Sequence, residues 1–164
     1  MQLVKLMAYR RWANELLFDC VTAVPQHQLT EPHPIVFGSL LNTLNHVLTV
    51  DLIFKAHLTG TQHGFTTRRP AQSPPLAELH LQQREADGWY IDYARALPPS
   101  DYENVVNFEF VGGGNGAMSR EDILLHLVNH ATYHRGHIGT MLYNLSVKPP
   151  TTDYPVFLRD HAHA

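Results

Sequence analysis

The sequence predicts an all-α fold, a four-helix bundle with a small β-hairpin between the third and fourth helices. Four long stretches repeat apolar residues every three to four positions, and prolines or glycines separate them. One short stretch alternates polar and apolar residues and ends in a run of glycines. With 164 residues, 44% of them hydrophobic, the chain is expected to form one domain, residues 1–164, with a core of its own.

The first helix is predicted from about Leu3 to Val24, where Pro25 stops the apolar rhythm. Cys20 lies on the apolar stripe of this helix, so we expect a small buried side chain there. It is the single cysteine of the chain. No intrachain disulfide can form, and this favours a cytoplasmic protein.

The second helix is predicted near residues 37–58 and follows a polar connection, residues 26–34. Gly60 is placed as its C-cap. Asp51 and His57 are expected on its solvent surface, since polar side chains are mostly exposed.

The third helix is expected to begin with Ser73 as its cap and Pro74 at its first position, and to end before Pro98. Residues 103–110 then form a strand that meets the glycine run. The return strand is predicted to include only Ala117 and Met118. The glycine run lacks the lysine of a phosphate-binding P-loop, so we do not assign that function to it.

The fourth helix is predicted to open at Ser119, which forms a capping-box variant with Asp122, and to run to about residue 145. Gly136 and Gly139 lower the helix propensity and therefore suggest close approach of another helix or a ligand. Residues 154–159 are expected to pack as a short cap on the bundle. His161 and His163 are interpreted as a frayed end.

Four histidines of the fourth helix, His126, His130, His134 and His137, recur at spacings of four, four and three. That spacing puts them on one stripe, where an adjacent pair can converge on one metal ion. Outer members such as His126 and His134 lie about 12 Å apart along the axis and cannot share an ion. A third ligand must come from another helix, and His46 is a candidate. Packing histidines, or a helix interface without metal, are the alternatives.

The segment N-H-A-T-Y-H-R-G-H-I-G around His130 and His134, together with Leu-Asn-His46 and Arg-Trp12-Ala-Asn14, resembles the DinB-like (YfiT-type) family of metal-dependent proteins. The resemblance implies a four-helix bundle whose metal ligands are His46, His130 and His134. It leaves His126 one turn outside the site. The family usually carries Gln where this chain has His137, which could add a fourth nitrogen or a supporting donor. The resemblance also implies a homodimer.

Three neutral nitrogens leave a divalent ion at least one open position, which is typical of catalytic sites. Imidazole ligands suit zinc and nickel, which we expect, and also iron. No H-E-x-x-H motif is present, and Glu15, Glu121 and Asp51 are the nearest acids without a convincing placement. This absence argues against peptidase-like hydrolysis.

The resemblance implies a low-molecular-weight-thiol S-transferase or a hydrolase acting on a small-molecule substrate, with a cellular thiol as the co-substrate. A non-enzymatic metal-binding or stress-related interaction protein is the alternative. Tyr133, Arg135 and Asn129 are candidates for roles beside the metal, although successive helix positions point to different faces.

Composition excludes two classes of partner. A formal charge of −3 without a block of Lys or Arg gives no electrostatic basis for nucleic-acid binding. No stretch approaches the roughly 18 apolar residues needed to span a membrane.

One basic pair, Arg68 and Arg69, stands in the loop after the second helix. These two side chains are either part of a solvated loop or a site for an anionic substrate group.

Overall fold

The computed structural model describes residues 2–161, which form five α-helices and one antiparallel β-hairpin. The helices are α1 (Gln2–Thr22), α2 (Leu40–Thr59), α3 (Leu76–Ala96), α4 (Arg120–Asn144) and α5 (Tyr154–Asp160), and the strands are β1 (Val105–Glu109) and β2 (Asn115–Ser119). This confirms the predicted bundle with a hairpin between its third and fourth helices. Within the described residues, no helix combines the length and the hydropathy of a membrane span. His163 lies outside the described residues.

The four long helices form a ring in which α1 packs against α3 and α4, and α2 packs against the same two helices. The bundle has two main apolar clusters, one towards each end. One cluster includes Leu17, Phe18, Leu44, Ile138 and Met141. The other includes Met7, Phe54, Tyr90, Ile123 and Leu127. The helices that carry the candidate ligands, α2 and α4, are therefore neighbours in the ring.

Side-chain caps fix the starts of both ligand-bearing helices. Ser39 accepts a hydrogen bond from the backbone N–H of Asn42 at the start of α2, and Gly60 ends this helix in the left-handed conformation with φ of 68°. At the start of α4, Ser119 accepts from the N–H of Asp122, and its hydroxyl donates to that carboxylate. The predicted cap by Ser119 is confirmed, whereas the carboxylate of Asp122 accepts from the hydroxyl of Ser119 and not from its backbone N–H as in a complete capping box.

The predicted start of the third helix is wrong by a few residues. The helix begins at Leu76, with Pro75 in the N-cap position and no side-chain cap. The hydroxyl of Ser73 instead donates to Oδ1 of Asn42 at 3.0 Å, so this residue attaches the loop to α2.

The return strand of the hairpin is longer than predicted, because it pairs from Asn115 to Ser119. Asn115 and Gly116 have low β-propensity, and their pairing with β1 rests on backbone hydrogen bonds that composition does not reveal. Gly116 stands opposite Phe108, where a Cβ atom would overlap the phenyl ring. The hairpin therefore packs Phe108 against α2, where it contacts Phe54.

The small residues of the helices pack less closely than predicted. A Cβ atom at Gly136 would meet nothing within 4 Å, and one at Gly139 would meet Pro149 only at an ordinary 3.7 Å. Cys20 is partly buried, with Sγ 3.6 Å from the carbonyl oxygen of Lys148. Neither glycine marks a close contact with another helix.

A polar layer lies between the two apolar clusters, and its centre is the buried guanidinium of Arg10. This group pairs with Asp51 of α2 and lies 3.1 Å from Asp87 of α3. Gln83 donates to both carboxylates. The expectation that Asp51 is a surface residue is wrong, since it is 0% exposed. Burial alone would lower the pKa of Arg10, but the two carboxylates outweigh burial and raise it.

We expect Arg10→Ala to reduce the free energy of unfolding by about 3–5 kcal/mol, because it leaves two buried carboxylates without their cation. Arg11→Ala is the matched control, since Arg11 is the next residue and is exposed; its effect should stay within about 0.5 kcal/mol. Urea unfolding followed by circular dichroism measures both. Equal effects of the two substitutions would contradict the assignment of Arg10 as the centre of the polar layer.

Candidate metal centre

The structure brings the three predicted histidines together. One ring nitrogen from each of His46, His130 and His134 lies within 4.8 Å of the others. Nε2 of His46 is 3.0 Å from Nε2 of His130. Two nitrogens held at 2.0–2.1 Å from one tetrahedral ion would be about 3.4 Å apart, so the group fits a metal after a small adjustment. Such a group could bind a metal ion, and the assignment of these residues as ligands stays a prediction.

A backbone carbonyl fixes the orientation and the tautomer of His46. Its Nδ1–H donates to the carbonyl oxygen of Arg68 at 2.7 Å. The lone pair then lies on Nε2, which faces His130. This hydrogen bond to the far ring nitrogen is the usual support of a metal-binding histidine.

Burial lowers the pKa of all three imidazoles. The pKa of His130 falls to about 2 and that of His134 to about 4, mainly through burial and then through the neighbouring imidazoles. For His46 burial is again the first cause, and the positive charges of Arg68 and Arg69 lower its pKa further. All three groups are neutral at pH 7 and can offer a lone pair to a cation.

Phe37 covers one side of the three histidines. Its ring stacks on His46 with centroids 3.8 Å apart, and its edge meets His134 at 5.3 Å. The guanidinium carbon of Arg69 lies 4.9 Å from the centroid of the same ring. Phe37 therefore keeps water from this side of the imidazoles. Sequence reasoning missed this role, because it predicts Phe37 as the first residue of the second helix, which instead begins at Leu40.

An open cleft of about 600 Å³ borders this group, and all three histidines line it together with Phe37. Loops supply much of the remaining wall, including Thr66, Arg68 and Gly112. Within residues 2–161, none of the side chains that line the cleft carries a carboxylate. A small molecule can therefore reach the imidazole nitrogens from solvent.

Two further histidines of α4 flank the group without joining it. His126 packs against Phe54, with centroids 4.8 Å apart, and lies one turn before His130. His137 lies one turn after His134 and contacts Tyr133. Within the described range, the convergent group contains His46, His130 and His134 only.

The three residues predicted as candidates for roles beside the metal have different surroundings. Tyr133 is 63% exposed and lines the cleft. Arg135 turns inward, where it donates to the hydroxyl of Tyr9 at 3.0 Å and to Thr132 at 2.8 Å. Asn129 is exposed and donates to a carbonyl of its own helix. Of these residues, Tyr133 alone stands beside the cleft.

The acidic residues nearest in sequence do not serve the site. Glu15 pairs with His80 and Arg84 on the outside of the bundle. Asp51 is held in the polar layer by Arg10. Glu121 lies in the first turn of α4, away from the cleft lining. His57, also expected on the surface, is partly buried and stacks on Phe108.

We expect the metal-free protein to lose stability as the pH falls below 6.5, the ordinary pKa of histidine. The unfolded chain takes up these protons near that pH, whereas folded His134 does so only near pH 4 and His130 near pH 2. Protons therefore favour unfolding in this window, by up to about 1.4 kcal/mol per pH unit for each such histidine. Urea unfolding between about pH 7.5 and pH 5 measures the slope. His130→Leu should flatten the slope, and an unchanged slope would contradict the lowered pKa.

Comparisons with known proteins agree with this architecture. Residues 1–162 match the model of the DinB family. The protein DinB of Bacillus subtilis (strain 168) is 28% identical over 167 aligned residues, which cover 94% of this chain and 92% of that relative. The crystal structure of a DinB-like protein from Bacillus cereus ATCC 10987 has a similar fold, with a TM-score of 0.64 at 15% identity over 88% of this chain and 91% of that one. Because the family model spans nearly the whole sequence, this chain belongs to the DinB family.

Proposed function

We propose that this protein is a metal-dependent enzyme that transfers a low-molecular-weight thiol to an electrophilic small molecule. The observation that carries the proposal is the position of the three histidines on the wall of one open cleft. A purely structural metal site is usually closed by four protein ligands, whereas a catalytic site keeps a position for substrate.

The donor set fits a divalent ion. His46 is held as the tautomer that presents Nε2, and His130 and His134 are kept neutral by their lowered pKa. When bound, a divalent ion at such ligands lowers the pKa of a thiol or a water at its open position. Zinc or nickel is the proposed ion, with iron as the alternative.

The chain's own residues then have two tasks. His46, His130 and His134 hold the reaction centre in place, and Phe37 shields it from one side. The thiol proton leaves to solvent through the open cleft, since none of its lining residues is a carboxylate that could accept it. The sulfur attacks the electrophilic carbon, an S–C bond forms, and the leaving group departs with its bonding electrons.

The hydrolase alternative has less support because activation of water normally needs a positioned general base. No carboxylate lines the cleft among the described residues. A non-enzymatic metal-binding protein has no need of a cleft that exposes the ligand nitrogens to small molecules. The homodimer implied by the resemblance stays a prediction.

We expect protein purified without a histidine tag to bind about one equivalent of zinc or nickel, and His130→Ala or His134→Ala to weaken binding by 100-fold or more, since each removes one of three ligands. His137→Ala is the matched control one turn further along α4 and should retain the metal. Elemental analysis and isothermal titration calorimetry measure these affinities. Less than about 0.3 equivalents in the wild type, with no uptake of added metal, would contradict the ligand assignment.

We also expect the metal-loaded protein to consume a thiol and an electrophile in equal amounts, with His130→Ala at the background rate. The assay combines common cellular thiols with a panel of electrophiles and follows thioether formation by mass spectrometry. His137→Ala should keep most of the activity. If no thiol turns over faster with the wild type than with His130→Ala, the transferase proposal is wrong.

A further inference from the structure

We propose that the cleft selects substrates or thiols that carry a carboxylate, and that the side chain of Arg68 binds this anionic group. The inference rests on the proposed function, because it names the chemistry of the molecule that enters the same cleft. It assigns a specificity-determining residue outside the three histidines.

The charged side chains that line the cleft, leaving the histidines aside, are all cationic. Two guanidinium groups, from Arg68 and Arg69, lie among its lining residues, and no carboxylate does. The other polar lining groups, apart from the histidines, are the hydroxyls of Thr66, Thr67 and Tyr133, which can donate hydrogen bonds. A wall of cations and hydroxyl donors favours an anion and disfavours a cationic ligand.

The two arginines have different tasks. Arg69 is committed to the protein, since its guanidinium donates to the carbonyl of Val36 and lies over the ring of Phe37. The side chain of Arg68 makes no hydrogen bond or ion pair to another residue within the range 2–161. Its planar fork of donors remains available to a ligand, and that fork matches a carboxylate.

The backbone of Arg68 is held at a defined place beside the reaction centre. Its carbonyl oxygen accepts the 2.7 Å hydrogen bond from Nδ1 of His46. The same loop is attached to α2 at two more points, from Asn45 to the carbonyl of Gln72 and from Ser73 to Asn42. The carbonyl oxygen of Arg68 is therefore separated from Nε2 of His46 by a single imidazole ring. Because Arg68 and the three histidines line the same cleft, one small molecule in the cleft can meet both.

The test compares 3-mercaptopropionate with its methyl ester, two thiols that differ in one negative charge. Each is titrated into cobalt-loaded protein, and the change in the visible absorption of cobalt gives its dissociation constant. We expect the acid to bind about ten-fold more tightly than the ester, as a charge-assisted hydrogen bond supplies. In Arg68→Gln this preference should fall to about two-fold or less, while Arg68→Lys should keep a large part of it.

Arg11→Gln is the matched control, since it removes the same charge from an exposed position of α1 outside the cleft. It should keep the ten-fold preference. The cobalt content and the urea midpoint of Arg68→Gln should equal those of the wild type, because the carbonyl of residue 68 makes the bond to His46. A preference for the acid that survives Arg68→Gln would mean that the metal alone holds the carboxylate, and would overturn the inference.

If neither thiol alters the cobalt spectrum, the proposed thiol chemistry is wrong, but the anion site can still be tested separately. The same protein is then titrated with benzoate and benzamide. Preferential binding of benzoate that Arg68→Gln abolishes supports the anion site without the thiol proposal. Equal affinity of benzoate and benzamide, or equal affinity of benzoate for wild type and Arg68→Gln, overturns it.

Discussion

Two adjacent residues of α1 fix the positions, along the bundle axis, of the two helices that carry the histidines. Arg10 pairs with Asp51 of α2, and Tyr9 accepts a hydrogen bond from Arg135 of α4. Asp51 lies five positions after His46, and Arg135 directly follows His134. A slip of either helix by one turn, about 5.4 Å, would break its contact with α1 and separate the imidazole nitrogens. The site therefore depends on these two contacts as much as on the histidines.

The polar layer gives the bundle its register rather than its bulk stability. A buried ion pair loses hydration that its attraction roughly repays, so apolar residues of similar volume could stabilise the bundle equally well. Apolar helix faces, however, can slide past each other at modest cost. A guanidinium between Asp51 and Asp87 allows one arrangement of α1, α2 and α3. Along α4, His130 and His134 lie between Leu127 of one apolar cluster and Ile138 of the other.

The fold was predictable because it follows from periodic spacing. The same spacing put four histidines of α4 on one stripe with His46 as a candidate from another helix, and the family resemblance selected His46, His130 and His134. Asp51 was not predictable as a buried residue, since its cation stands 41 positions away in another helix. The carbonyl of Arg68 was also missed, because a backbone acceptor leaves no trace in the identity of its residue. The length of β2 was missed for the same reason, since backbone pairing alone carries Asn115 and Gly116.

The wall of the cleft divides into a helical part and a loop part. Helices α2 and α4 present the candidate ligand nitrogens, whereas connecting segments present Phe37, Arg68 and Gly112. Loops tolerate substitution better than packed helices, so chemistry and substrate selection can change independently in such a design. In this chain the two parts are in contact where the guanidinium of Arg69 lies over the ring of Phe37 and that ring stacks on His46. A substitution at Phe37 or Arg69 would therefore also affect the orientation of His46, a candidate metal ligand.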